Sequence, residues 1–189
     1  MFRKKLMKKV AIIGAGISGL FIANLFKKSK KYYVTIFERN SLINLKEGYG
    51  IQLSVNSIKL LNKIQFDKFE NTEKFNPDKI NFYSVKNFNK ICELNISDFN
   101  TENCKYTTLK RSSLINFLKK DLEKEIKFDH TIAKIEQQDQ IVKITFENNK
   151  IYEFDYLIIS DGVFSNSKNL LSKNQIEPKF NDMLAIRGI

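Results

Sequence analysis

The stretch "VAIIGAGISGLFIANLF", residues 10–26, holds three glycines, Gly14, Gly16 and Gly19, in a GxGxxG spacing. Each position meets a separate demand of a phosphate site. Gly14 permits a tight turn out of a strand, Gly16 keeps a Cβ away from a pyrophosphate, and Gly19 lets a helix pack close to its strands. Ala15 and Ser18 belong to the same turn. A helix that starts here aims free N–H groups and the positive end of its dipole at an anion. Glu38 stands where an acidic group accepts hydrogen bonds from ribose hydroxyls, and its charge repels a 2′-phosphate. The chemistry is therefore recognition of an ADP moiety, with NADP disfavoured. FAD and NAD both carry that moiety, so these residues leave the choice between them open. A glycine-rich turn beside a surface glutamate is the simpler alternative.

What raises the motif above background is the pattern around it. Lys8 to Ile13 reads as a buried strand. From Ile17 the period becomes helical, with Ile17, Leu20, Phe21 and Leu25 on one face. Tyr33 to Phe37 is a second β-rich run that ends at Glu38. Next, Gly48 and Gly50 suggest a loop in close approach to something, and Ser54 or Asn56 starts a helix carrying Ile58, Leu61 and Ile64. "INFYSV" and "ICELNI" read as two strands around the turn "KNFNK". "LKRSSLINFLKKDLEK" is a helix with Leu114, Ile115, Leu118 and Leu122 on one face. "TIAKIE", "IVKITF" and "IYEFDYLIIS" read as a β-meander whose last strand, Tyr156 to Ser160, returns to the core. "FNDMLAIRGI" looks like one more strand. The class is α/β.

Composition narrows the function. A chain of 189 residues can bury one good core and part of another. No apolar run approaches the roughly 18 residues of a membrane span. The basic start "MFRKKLMKKV" runs straight into the glycine motif and leaves no room for a secretory signal, so a cytoplasmic location is expected. The net charge of +11 comes from lysines scattered among Asn, Ile and Phe. That pattern suits solvated surface lysines first, attraction to an anionic membrane surface second, and nucleic acid least. Cys92 and Cys104 lack metal-site spacing, and no metal centre is expected. The single histidine, His130, follows a charged turn and is expected at the surface, which removes a Ser-His-Asp hydrolase.

Four segments in order resemble the FAD-dependent aromatic-ring monooxygenases, the p-hydroxybenzoate, salicylate and ubiquinone-biosynthesis hydroxylases. "GIQLSVNSIKLL" is similar to their GIQLSPNA segment, with Val55 for the proline and Ser57 for the alanine. "LKRSSLINFL" matches their hRxxLxxxL helix start through Arg111. "DYLIISDGVFSNSK" resembles their GADGxxSxxR fingerprint. Asp161, Gly162 and Ser165 match it, whereas Ile159, Ser160 and Lys168 depart from it. "AIRGI" resembles the first strand of their substrate domain.

The resemblance implies a Rossmann-like, glutathione-reductase-type, three-layer FAD-binding domain over residues 1–178, with a β-meander insertion. Residues 179–189 would start a substrate-domain sheet. It implies FAD, with NADH or NADPH as co-substrate, O2, and a small aromatic or quinone-precursor substrate. Gly14, Ala15, Gly16, Ser18 and Gly19 would line the FAD pyrophosphate, and Glu38 would hold the adenosine ribose. Arg39 would lie on the adenine side, with Gly50 and Gln52 near the flavin. Arg111 would meet the phosphates or ribityl chain, and Asp161 both FAD and the nicotinamide cofactor. No catalytic side chain and no oligomeric state is assigned. The family's third motif, GDAAHxxxPxxGxG, has no counterpart, so the chain is expected to be the N-terminal portion of a longer enzyme, inactive or incomplete alone. A non-hydroxylating FAD oxidoreductase and a non-catalytic dinucleotide-binding remnant are the alternatives.

Overall fold

The structure is a computed structural model that describes residues 7–45, 50–70, 72, 74–172 and 177–184. In chain order the elements are β1 (Lys8–Ile13), α1 (Ile17–Ser29), β2 (Tyr32–Phe37), β3 (Gly50–Leu53), α2 (Val55–Leu61), β4 (Lys79–Tyr83), β5 (Lys90–Asn95), β6 (Thr107–Lys110), α3 (Arg111–Lys119), β7 (Ile126–Lys127), β8 (Ile132–Gln138), β9 (Ile141–Phe146), β10 (Ile151–Phe154), β11 (Tyr156–Ile159) and α4 (Ser167–Leu171). Among the described residues, 7–45 with 115–184 make one compact unit and 50–114 the other.

The first unit is built on a parallel sheet in the order β11-β1-β2-β7. β1 is central. Its last four residues, Val10 to Ile13, are all buried, as expected of a parallel strand covered on both faces. Successive side chains alternate between those faces. Ala11, Ile13 and Phe37 join Ile132, Ile144, Phe146 and Phe154 of the meander in one apolar cluster. Burying Phe37 and Phe146 contributes roughly 1.5–3 kcal/mol each. α1 follows β1 through the glycine turn and leads into β2, burying Gly19, Leu20 and Ala23.

The meander β8-β9-β10 is antiparallel. The run Ile151 to Ser160 is two strands, because Asp155 breaks it. Its backbone N–H donates to the Lys9 carbonyl, its Oδ2 accepts the Lys9 N–H at 2.7 Å, and its Oδ1 pairs with Lys8 Nζ at 2.6 Å. The corner redirects the chain from the meander into the parallel sheet. Leu114, Ile115, Leu118 and Leu122 are all buried, but the helix expected over residues 109–124 runs only from Arg111 to Lys119, so Leu122 lies past its end.

The second unit holds two small antiparallel pairs, β3-β6 and the hairpin β4-β5. The hairpin lies where the two runs and "KNFNK" predicted it. The β3-β6 pair was not foreseen. "GIQL" reads as a loop, and of Thr107 to Lys110 the last two residues read as the start of the next helix. β7, two residues long, was also missed. For the strand expected over "FNDMLAIRGI", the described part to Leu184 carries none, and the rest lies outside the described residues.

Candidate dinucleotide site

At the end of β1 the Gly14 N–H donates to the Phe37 carbonyl at 2.8 Å, and the chain turns at Gly14 with φ +99°. A side chain there is strained and would also meet the Ser160 carbonyl oxygen at 2.5 Å. At Gly19 a Cβ would sit 2.0 Å from the Gly14 carbonyl oxygen and 2.8 Å from Ser160 Oγ. The protein's own packing therefore demands glycine at both positions.

Gly16 is different. It caps α1 with φ −79° and ψ −176°, an extended conformation open to any residue, and a Cβ on it would meet nothing within 4 Å. The Leu20 N–H donates to the Gly16 carbonyl as the first helical bond. The first turn of α1 has no acidic residue, and its last turn carries Lys27 and Lys28. The dipole is thus complemented at its C-terminal end and left unneutralised at the end that faces the glycines. This is a cradle that a pyrophosphate fits. Ser18 is exposed on that first turn, and Ala15 is buried inside it.

Glu38 closes the site at the end of β2. Its Oε2 accepts the Ala15 N–H at 3.0 Å, so the carboxylate lies against the glycine turn. Its Oε1 accepts the backbone N–H of Asn40 at 3.0 Å and the Asn40 Nδ2 at 2.9 Å. Arg39 is exposed beside it.

Asp161 arrives from β11 on the other side. A Cβ at Gly14 would come within 2.9 Å of the Asp161 Cα. The Asp161 Oδ2 accepts the Ser167 N–H at 3.2 Å and so braces the turn before α4, whereas Oδ1 is buried with no donor. Gly162, at φ +85°, makes that turn. Lys168, at the position of the family's arginine, donates from Nζ to the Val163 carbonyl at 3.2 Å, within its own turn.

The structure thus gathers Gly14, Ala15, Gly16, Ser18, Gly19, Glu38, Arg39 and Asp161 in one unit. The other predicted residues belong to the second unit. Gly50 pairs with Lys110 across β3-β6, Gln52 pairs with Thr108, and Arg111, half-buried, opens α3 directly after Lys110. Gly50 and Arg111 therefore share one end of that ladder. Gly48 lies outside the described residues.

Two residues escaped sequence reasoning. Ser160 Oγ donates to the Ile13 carbonyl at 2.8 Å and lies 3.4 Å from the Gly14 carbonyl, directly under the turn. Its signal was a hydroxyl at a strand end where the family has alanine. Asn40 is the second, and a short amide two residues past an acid was its signal.

His130 corrects an expectation. It is buried, not at the surface. Nδ1–H donates to the Phe128 carbonyl at 2.5 Å, and the ring packs against Phe37, Phe146 and Tyr152. The charged turn before it was legible, but the aromatic cage that holds it is assembled from three other strands.

A parallel βαβ unit with a glycine turn, an open helix N-terminus and an acid at the end of the second strand defines a Rossmann-like dinucleotide-binding domain. Residues 12–43 match the family profile of the NAD(P)-binding Rossmann-like domain. Over longer spans the chain's homologues are FAD-dependent monooxygenases. It is 24% identical over 183 residues to an FAD-dependent monooxygenase of Apiospora sacchari, covering 92% of this chain and 37% of that protein. It is 25% identical over 199 residues to the salicylate hydroxylase of Pseudomonas putida, covering all of this chain and 44% of that enzyme. Among solved structures it is similar to 2,6-dihydroxypyridine-3-hydroxylase of Arthrobacter nicotinovorans, with a TM-score of 0.74 at 17% identity, covering 93% of this chain and 42% of that one. The chain spans 37–47% of the length of the curated relatives it matches. Among the described residues no helix is long and apolar enough to cross a membrane.

Proposed function

We propose that this chain is the N-terminal, FAD-binding part of a flavin-dependent monooxygenase. The whole enzyme would hydroxylate a small aromatic or quinone-precursor substrate with O2 and NADH or NADPH, in the cytoplasm. The observation that carries the reading is Gly16, a glycine that neither backbone angle nor packing requires. A phosphate brought against the backbone is what requires it.

When bound, FAD supplies the redox chemistry, and the protein supplies binding and orientation. The N–H groups at the start of α1 would hold the pyrophosphate, beside Gly14, Ala15, Gly16, Ser18 and Gly19. Glu38 would accept from the adenosine ribose, with Arg39 on the adenine side. Asp161, whose Oδ1 lacks a donor, has an acceptor left for the cofactor or the nicotinamide co-substrate. Gly50, Gln52 and Arg111 of the second unit would serve the flavin and its phosphate or ribityl chain, and a guanidinium suits phosphate oxygens. No residue is assigned to move a proton. Residues 1–178 are read as FAD-binding and 179–189 as the start of a substrate sheet. Since the relatives are more than twice as long, the activity proposed for these residues alone is binding.

The test is uptake of FAD by the purified chain, followed by visible absorbance and flavin fluorescence. The wild-type chain should take up FAD. Gly16→Ala should lose at least about tenfold in FAD affinity while its unfolding midpoint stays within about 0.5 kcal/mol of wild type, because the new methyl meets no protein atom. Equal FAD affinity in the variant, or a wild-type chain that ignores FAD, would overturn the reading.

A further inference from the structure

The Glu38 carboxylate has roughly four acceptor directions, two on each oxygen. Three are taken inside the protein. Oε1 receives two hydrogen bonds from Asn40, one from the backbone N–H and one from the side-chain Nδ2, and Oε2 receives the Ala15 N–H. One direction, on Oε2, stays open. Donors on both sides stop the carboxylate from rotating, so the open lone pair has a fixed aim.

Asn40 is itself held. Its carbonyl accepts the Asp129 N–H at 3.2 Å. Around it the Glu38 N–H donates to the Lys127 carbonyl at 2.9 Å, and the His130 N–H donates to the Glu38 carbonyl at 3.0 Å. Residues 127–130 thus extend the parallel pairing of β2 and β7 past its last formal pair, Phe37 with Lys127. The buried ring of His130 anchors that extension in the aromatic cluster. The Asn40 amide meets Glu38 from a fixed backbone, so little side-chain freedom is lost when the contact forms.

On the reading that this site takes the ADP part of FAD, we propose that Asn40 is a positioning residue for Glu38. It saturates Oε1 and so commits Oε2 to a single ribose hydroxyl. The preference for an unphosphorylated adenosine ribose then belongs to the Glu38–Asn40 pair. A 2′-phosphate meets the negative charge of Glu38, and two of the Asn40 N–H groups are already held by that carboxylate.

Isothermal titration with ADP and with 2′-deoxy-ADP tests this on the full chain. Wild type should bind ADP and should bind 2′-deoxy-ADP more weakly. Asn40→Ala should bind ADP about five- to tenfold more weakly, as for loss of a hydrogen bond to a charged group, and its penalty for the missing hydroxyl should shrink. Asn40→Ser, whose hydroxyl can donate to Oε1, should recover part of both effects. The melting temperature of either variant should stay near wild type, because Asn40 is exposed. A merely structural role would instead lower the melting temperature and weaken both nucleotides in equal ratio, and that result overturns the proposal. So does an Asn40→Ala chain that binds ADP and discriminates like wild type. If wild type binds FAD but Asn40 has no effect, only this inference falls. If wild type binds neither FAD nor ADP, the underlying reading falls with it.

Discussion

β1 and the β4-β5 hairpin are both β-rich in sequence, and they meet opposite fates. The last four residues of β1 are fully enclosed, with strands on both edges and apolar cover on both faces. In the two strands of the hairpin only Ile80 is even half-buried. Register places Ile80 opposite Leu94 and Phe82 opposite Cys92, which makes one apolar face. The other face carries Lys79 and Glu93, paired at 3.2 Å, and Lys90 also pairs with Glu93. A two-stranded ribbon with one uncovered face is marginal by itself. The dinucleotide turn, by contrast, rises from the strand with the fullest packing. Ligand atoms need fixed neighbours, and the enclosed strand supplies them.

The contrast breaks first at Gly19. Gly19→Ala forces a methyl against the Gly14 carbonyl and Ser160 Oγ, and should cost more than about 3 kcal/mol in a urea unfolding experiment. Cofactor uptake should vanish with it. A Gly19→Ala chain of wild-type stability would mean that α1 does not approach β1 as described.

A smaller effect is expected at the strand entrance. The hydrogen bond from Lys8, followed by that from the Lys9 N–H, holds the Asp155 carboxyl below its ordinary range. A depressed carboxyl contributes stability that is fully present above its unfolded value and lost as pH falls through the folded one. Unfolding midpoints recorded at decreasing pH should therefore drop in the acid limb. Asp155→Asn should flatten that limb while being less stable than wild type at pH 7. An unchanged acid limb would show that the β10-β11 corner does not depend on this charge.

The smallest effect is expected in the hairpin. Phe88, 81% exposed in its turn, touches little, and Phe88→Ser should move the unfolding midpoint by no more than about 0.5 kcal/mol. A loss of several times that would show the hairpin to be covered in solution, and would narrow the contrast with β1.

How far the sequence could be read follows the same division. β1, the turn, α1, β2 and Glu38 were legible because one local pattern of about thirty residues encodes them all. Leu114, Ile115 and Leu118 were legible from helical period, whereas Leu122 is buried past the end of α3. The β3-β6 pair was not, since four-residue strands more than fifty positions apart carry no local sign of each other. The burial of His130 depends on Phe37, Phe146 and Tyr152, which come from three strands. At the site, residue types announced Gly14, Gly16 and Gly19 alike. Only the three-dimensional packing separates the two that the protein needs from the one that neither its backbone angle nor its neighbours require.

Ser160 has a consequence for the order in which the molecule is made. β1 and β2 can pair as soon as α1 has formed, since their partners are close in sequence. The other edge of β1 waits for β11, and the Ile13 carbonyl waits for both the N–H and the hydroxyl of Ser160. Closing so long a loop costs entropy and slows folding. During synthesis the glycine turn leaves the ribosome long before its floor, because Ser160 lies 147 residues after Ile13. A nascent chain should therefore be unable to hold nucleotide until residue 160 has emerged, however early its glycines appear.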